Sequence, residues 1–186
     1  SLENDARLQV LSLAPLVGGC MAPLPATFSL AENADWQALL PRLVAARVLR
    51  LAAVPGLTVQ YACLAPALAR RFDQRLTEPQ RARLLPRYTG AYMGLLTWMT
   101  QQEGNQPHGR PYSPMLDLFY SEMANLCQAL SLVRASEQLS TALQFTHLMQ
   151  TLMTRLGLRG QVVGRDVGDA HVGPHGDQPR LITQGL

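Results

Sequence analysis

The chain has 186 residues, a net charge of +3 and only 16% charged residues, against about 25% in an average soluble domain. This length suits one domain with a substantial core, and the low charge indicates that a partner or a second copy covers part of the surface. All sixteen basic side chains are arginine, so Schiff-base catalysis and a P-loop lysine are excluded.

The absence of lysine has two interpretations. A GC-rich genome depletes lysine and isoleucine, and isoleucine occurs only once, at Ile182. Selection against an attachment point for ubiquitin or a similar modifier would also remove lysine, as suits a protein delivered into a host cell. The odd number of widely spaced cysteines predicts no disulfide framework, and no apolar run is long enough for a transmembrane segment. We therefore expect a cytoplasmic protein or, alternatively, one secreted into a host cell.

Helix signals dominate the first half of the chain, because β-branched residues nowhere alternate over a sustained run. A helix stop is predicted at Pro55-Gly56. The predicted helices are residues 4–17, capped by Asn4 or Asp5, a segment from Ser29 or Asn33 to Val54, and residues 58–76.

The second half contains clearer helix starts. Thr77-Glu78-Pro79-Gln80 resembles a capping box and opens a helix that ends near Gln102. Ser113-Pro114 combines a capping hydroxyl with a proline at the first helical position. Ser136-Glu137 opens a last helix, through Leu139, Leu143 and Met153, to Gly157. The helix after Ser113 has an apolar stripe formed by Leu116, Phe119, Met123, Leu126, Cys127 and Leu130.

These signals predict an all-α fold, an irregular bundle of about five to seven helices over residues 1–157. Residues 158–186 are rich in glycine and proline and are predicted to form an extended C-terminal arm. The segment Leu39-Leu40-Pro41-Arg42 recurs as Leu84-Leu85-Pro86-Arg87. Because HEAT and armadillo repeats have periods of about 40–47 residues, hairpins of that type are an alternative to the compact bundle.

Arginine is concentrated between residues 42 and 87, where nine arginines face two acids, Asp73 and Glu78. Stacked helices would present these arginines as a basic surface that binds phosphate or carboxylate groups bidentately. An acidic protein, nucleic acid and anionic lipid are the candidate ligands, and a solvated surface is the alternative. We define the basic face as Arg42, Arg47, Arg50, Arg70, Arg71, Arg75, Arg83 and Arg87.

An aromatic cluster follows on the next predicted helix. Tyr88 and Tyr92 lie one helical turn apart, and Trp98 follows. Small residues at Gly90 and Gly94 would allow another helix to approach closely. The cluster is either part of the core or an exposed groove for a partner helix.

Metal ligation and catalysis have weaker signals. His171, His175 and Asp169 supply ligand types that zinc accepts, but Gly173 and Pro174 prevent the helix that would place the two histidines on one face. A solvated tail is the alternative interpretation. Cys127 and His147 lie on successive predicted helices and could form a nucleophilic pair, although a cysteine on an apolar stripe is usually a core residue.

The sequence therefore favours a non-enzymatic protein–protein interaction or assembly domain, with no cofactor, that binds a protein partner or a second copy of itself. A component or substrate of a bacterial secretion, conjugation or virulence system is the preferred setting. The first alternative is nucleic-acid or anionic-ligand binding through the basic face. The second is a metal-dependent enzyme that uses the C-terminal histidine and aspartate cluster.

Overall fold

The computed structural model describes residues 2–32, 35–54, 58–105 and 113–158. These ranges contain six α-helices, one 3-10 helix and three short strands, so the mainly helical prediction is confirmed. The predicted C-terminal arm lies outside them, except for Leu158. In chain order the elements are α1 (Leu2–Leu11), β1 (Gly19–Met21), the 3-10 helix (Leu24–Phe28), α2 (Trp36–Ala45), β2 (Leu49–Ala53), β3 (Gln60–Leu64), α3 (Pro66–Asp73), α4 (Glu78–Gly104), α5 (Pro114–Ala135) and α6 (Leu139–Arg155).

The strands correct the all-α prediction. They form one antiparallel sheet in the order β1-β3-β2, in segments that the sequence assigned to helices or left unassigned. Leu49 lies opposite Leu64, and Leu51 lies opposite Ala62. Strand residues such as alanine, leucine and arginine have low intrinsic β-propensity. The sheet is therefore stabilised by pairing and by burial of one face, which are tertiary effects.

Helix α2 is shorter than predicted at both ends. Its N-cap is Asp35, which accepts a hydrogen bond from the Ala38 N–H at 3.1 Å, in place of the expected Ser29 or Asn33. The helix ends because Arg47 has a positive φ of 57°. The Val48 N–H then donates to the Leu43 carbonyl at 2.9 Å. Glycine usually occupies this left-handed position, so the sequence carried no signal for the end of the helix.

Helix α1 begins before its predicted cap and ends at Leu11 rather than at residue 17, and α3 begins at Pro66 rather than at residue 58. Three other helix boundaries agree with the sequence. Thr77 and Gln80 form the predicted capping box, with hydrogen bonds of 3.4 and 3.0 Å. The Ser113 hydroxyl caps α5 by accepting from the Met115 N–H at 3.2 Å. Gly157, with a φ of 74°, follows the end of α6. Local capping chemistry therefore sets these ends.

Helices α4, α5 and α6 pack against one another as a three-helix bundle. The same core extends into the sheet-bearing half, where the Phe28 ring meets the Tyr88 ring edge-on at 5.5 Å between centroids. HEAT-like hairpins are not confirmed: α2, with Pro41, is followed by β2, whereas α4, with Pro86, is followed by α5.

The apolar stripes are partly as predicted. On α5, Phe119 and Leu126 are buried, whereas Cys127 is exposed. Within the described ranges, every helix is too short or too polar to cross a lipid bilayer.

Candidate functional site

The basic face is exposed in full. Its members lie on helices α2, α3 and α4, on strand β2, in the turn after α2 and in the loop between α3 and α4. All eight side chains are exposed: Arg42, Arg47, Arg50, Arg70, Arg71, Arg75, Arg83 and Arg87. Arg75 follows the end of α3. Arg70 and Arg71 lie in the last turn of α3, where their positive charges interact favourably with the negative end of the helix dipole.

Two members of the basic face have partners. An Arg83 guanidinium nitrogen lies 3.8 Å from a Glu32 carboxylate oxygen, and Arg87 donates to the Ser29 carbonyl at 2.5 Å. Arg81, outside the set, forms an ion pair with Asp73. Within the described residues, the remaining six have no acidic partner: Arg42, Arg47, Arg50, Arg70, Arg71 and Arg75.

A cleft of about 790 Å³ lies beside the start of β2. Arg47 and Arg50 contribute its charged lining, and no aspartate or glutamate contributes to it. Val44, Val48 and Leu51 supply part of an otherwise largely apolar wall. A cleft with this lining suits a ligand that carries both negative charge and apolar groups.

A second cleft, of about 570 Å³, lies between α3 and the bundle. Arg70 and the Arg81–Asp73 ion pair contribute to its lining. Gly18 and Pro66 contribute to both clefts. The two clefts are therefore neighbours, and they bring Arg47, Arg50 and Arg70 to adjoining parts of the surface.

The two tyrosines of the predicted aromatic groove are buried in the core. Tyr88 and Tyr92 are both 0% exposed, and Trp98 is half-buried. The two tyrosine rings contact each other at an interplanar angle of 53°, with centroids 4.7 Å apart. The two tyrosines are thus core residues, because their rings fill the space between α4, α5 and the 3-10 helix.

The tyrosine hydroxyls belong to a buried hydrogen-bond network with two polar side chains of α5. Tyr92 donates to Glu122 Oε2 at 2.9 Å, and Tyr88 donates weakly to Asn125 Oδ1 at 3.4 Å. Asn125 Nδ2 donates to the same Glu122 oxygen at 2.9 Å. Glu122 and Asn125 are both fully buried, and no arginine or histidine pairs with Glu122 in the described ranges.

This network binds the outer edge of β1. The Val17 N–H donates to Asn125 Oδ1, and the Met21 N–H donates to Glu122 Oε1, each at 2.7 Å. The Gly19 carbonyl accepts from Asn125 Nδ2 at 2.6 Å. The two side chains therefore take the place of a neighbouring strand and connect the sheet to the bundle.

Burial dominates the ionisation of this network. Removal from water raises the pKa of Glu122 above its ordinary value, and the hydrogen bonds from Asn125, Met21 and Tyr92 partly oppose that effect. Burial and then the nearby Glu122 carboxyl raise the pKa of Tyr92. The raised pKa values follow from burial and structural contacts, and the network has no water-exposed nucleophile.

Sequence reasoning missed Glu122 and Asn125. Their signal lies in their positions, because Leu118, Glu122, Asn125 and Ala129 follow one another at the four- and three-residue steps of a helix face. Polar residues on a face that is otherwise apolar indicate buried hydrogen bonding.

Helix α6 exposes two leucines that the sequence placed on its apolar stripe. Leu139 is 76% exposed and Leu143 is 71% exposed, whereas Phe145 and Leu152 are buried. Leu139 and Leu143 lie one turn apart and therefore share a side of the helix. The predicted stripe was therefore wrong at Leu139 and Leu143, whereas Met153 packs against the core as expected.

The remaining candidate sites gain no geometric support. Cys127 and His147 are both exposed, and no hydrogen bond joins them in the described structure. His171, His175 and Asp169 lie outside the described residues. Among the residues that are described, no group of three histidine, cysteine or acidic side chains could hold a metal ion.

Comparisons with protein-family models, with curated proteins and with solved structures found no match for this chain.

Proposed function

We propose that this chain is a non-enzymatic protein-interaction domain whose basic face binds an acidic region of a partner protein. The observation that carries this proposal is the set of six exposed arginines without an acidic partner in the described structure. An arginine fork binds carboxylates bidentately, so acidic side chains of a partner would satisfy these groups.

The cleft at Arg47 and Arg50 favours a protein over a simple anion. Its apolar wall would bury aliphatic side chains, while its two arginines would bind carboxylates. Protein interfaces combine an apolar centre with a polar rim in this way. Nucleic acid is the second candidate, favoured by the number of unpaired arginines, and it would bind with a steep dependence on salt.

Charge reversal tests the proposal. Arg47→Glu with Arg50→Glu is the test variant, and Arg7→Glu with Arg134→Glu is the control, because those two arginines are also exposed and the change in net charge is the same. The probes are labelled poly-glutamate and a labelled DNA duplex, with binding measured by fluorescence anisotropy. We expect the test variant to bind poly-glutamate about tenfold more weakly.

The control variant should bind poly-glutamate within about twofold of the unmodified chain. Equal weakening in both variants would show that only net charge matters and would contradict a specific basic face. Stronger binding to DNA than to poly-glutamate at the same salt concentration would favour the nucleic-acid alternative.

Self-assembly is the second part of the proposal, and Leu139 and Leu143 on α6 support it. Two exposed leucines one turn apart supply an apolar contact that a second copy would bury. Light scattering should give a mass above 20.4 kDa, and Leu139→Glu with Leu143→Glu should reduce it to that of a monomer. A monomeric unmodified chain would contradict self-assembly without affecting the basic face.

The absence of lysine supports delivery into a host cytosol as the cellular setting, within a secretion, conjugation or virulence system. Arg42→Lys with Arg71→Lys keeps the charge and introduces two exposed attachment points. We expect a shorter lifetime for this variant in a ubiquitin-competent extract. An unchanged lifetime would leave genomic composition as the explanation for the missing lysine.

A further inference from the structure

The hydrogen-bonding pattern of the sheet determines which backbone groups of β2 point outward. The Leu64 N–H donates to the Gly18 carbonyl, and the Ala22 N–H donates to the Gln60 carbonyl. The even-numbered residues of β3 therefore face β1. Since backbone groups alternate in direction along a strand, Tyr61 and Cys63 must face β2.

The register then assigns the two sides of β2. Tyr61 lies opposite Ala52, and Cys63 lies opposite Arg50, so Arg50 and Ala52 direct their backbone groups toward β3. The N–H and carbonyl groups of Leu49, Leu51 and Ala53 point away from the sheet. No hydrogen bond to these outward groups is present in the described residues.

The two faces of the sheet beside the β2 edge differ in chemistry: one is apolar and the other carries an arginine. Cross-strand partners share a face, so Leu49 and Leu51 lie on the same face as the buried Leu64 and Ala62. The Arg50 side chain lies on the opposite face and is exposed. An added strand would therefore meet an aliphatic side chain on one face and a guanidinium on the other.

We propose that the β2 edge accepts an extended acidic segment of a partner protein as a fourth strand, in the order β1-β3-β2-partner. The backbone of the segment pairs with the half-buried Leu51 and the exposed Ala53, as in other cases of strand addition. Alternate side chains of the segment are acidic, to meet Arg50 and Arg47, and the others are aliphatic. This inference rests on the proposed function, since it specifies how the partner protein binds.

A second copy of the chain is a poorer occupant than an acidic segment. Pairing β2 with β2 of another copy would bring two Arg47 and two Arg50 side chains to one junction, and like charges on paired strands are destabilising. Arginine at an open edge also discourages such self-pairing. Charge complementarity therefore identifies an acidic segment as the occupant.

The test uses the full chain and a labelled peptide in which glutamate and valine alternate over seven residues. One control peptide is N-methylated at every valine and the other at every glutamate. All N–H groups of one alternate set face the receiving strand, so methylation of that set should weaken binding at least about tenfold. Methylation of the other set should leave the affinity within about twofold.

Weaker binding of the valine-methylated peptide would indicate an antiparallel added strand, because the residues opposite Leu51 and Ala53 then form the hydrogen bonds. Weaker binding of the glutamate-methylated peptide would indicate a parallel strand, in which the neighbours of those residues form them. Either pattern supports the proposal. No detectable binding of the parent peptide, or equal affinity of the two methylated peptides, would overturn strand addition. If Arg47→Glu with Arg50→Glu still weakens poly-glutamate binding in that case, the proposed function stands without strand addition.

Proline substitutions in β2 provide a test from the side of the protein. Ala53→Pro removes an outward N–H and should keep the circular dichroism spectrum while weakening peptide binding about tenfold. Ala52→Pro removes an N–H that faces β3 and should lower Tm. Peptide binding that Ala53→Pro leaves intact would count against the assigned edge. Binding that appears only after deletion of residues 160–186 would identify that segment as the occupant and overturn the proposal.

Discussion

Strands β1 and β2 are the two outer strands of one sheet, and their outer edges have opposite surroundings. One outward backbone group of each of Val17, Gly19 and Met21 binds Asn125 or Glu122 of α5. The outward groups of β2 bind no protein group in the described ranges. The β1 edge is therefore closed by side chains, whereas the β2 edge reaches solvent at Leu51 and Ala53 and is buried at Leu49.

The difference follows from burial. An unsatisfied backbone group that is shielded from water costs about 1–3 kcal/mol, so the β1 edge needs partners where it faces the bundle. Water can satisfy the outward backbone groups of β2 at Leu51 and Ala53, and the exposed Arg50 beside them discourages aggregation. Closure of the β1 edge holds the two halves of the molecule together, and the β2 edge is the one that we propose for recognition.

The largest expected effect on the closed edge comes from Gly19→Ala. A Cβ at Gly19, where φ is 151°, would lie 2.5 Å from the Ala62 carbonyl oxygen. We expect a loss of about 4 kcal/mol in the free energy of unfolding, measured by urea denaturation. Gly90→Ala is the control, since its Cβ would meet nothing within 4 Å; it should be neutral or stabilising by about 1 kcal/mol. Similar results for both variants would contradict close packing at β1.

Asn125→Leu should have the next largest effect, because it leaves the buried Gly19 carbonyl and the partly buried Val17 N–H without partners. The expected loss is about 3 kcal/mol. Gln128→Leu removes an exposed amide one turn further along α5 and should change stability by less than about 0.5 kcal/mol. Equal urea midpoints for the two variants would show that Asn125 does not close the β1 edge.

Glu122→Gln tests the charge of the same network through its pH dependence. Because burial raises the pKa of folded Glu122, its contribution to stability is fully present below the unfolded pKa of about 4.3 and is lost as pH rises through the folded value. We expect the stability of the unmodified chain to fall relative to Glu122→Gln as the pH rises above about 4.3. A stability difference that does not vary with pH would contradict the raised pKa.

The smallest effect on stability is expected at the open edge. Arg47→Glu with Arg50→Glu changes two exposed side chains that have no ion pair in the described structure. The free energy of unfolding should change by less than about 0.5 kcal/mol, as measured by thermal denaturation. A loss of several kcal/mol would show that these arginines stabilise the fold and would remove the contrast between the two edges.

The candidate site was predictable in its composition but not in its arrangement. Arginine content predicted that these eight side chains are exposed, because charged side chains without buried partners remain at the surface. The sequence did not predict the clefts or the open strand edge, since both depend on how β2 lies against β3. Tyr88 and Tyr92 show what a helical stripe cannot predict. The spacing of the two residues indicates that they share a helix face, but not whether that face packs against the same chain or against a partner.

Much of the helical structure was determined by local sequence alone. Thr77, Gln80, Ser113 and Gly157 act through hydrogen bonds and backbone conformations within a few residues, so their effects are visible in the sequence. The sheet, the early end of α2 at Arg47 and the closure of β1 by Glu122 and Asn125 required the tertiary structure. Each joins residues that are distant in the chain or places a residue in a conformation that its type rarely adopts, and neither effect has a local signature.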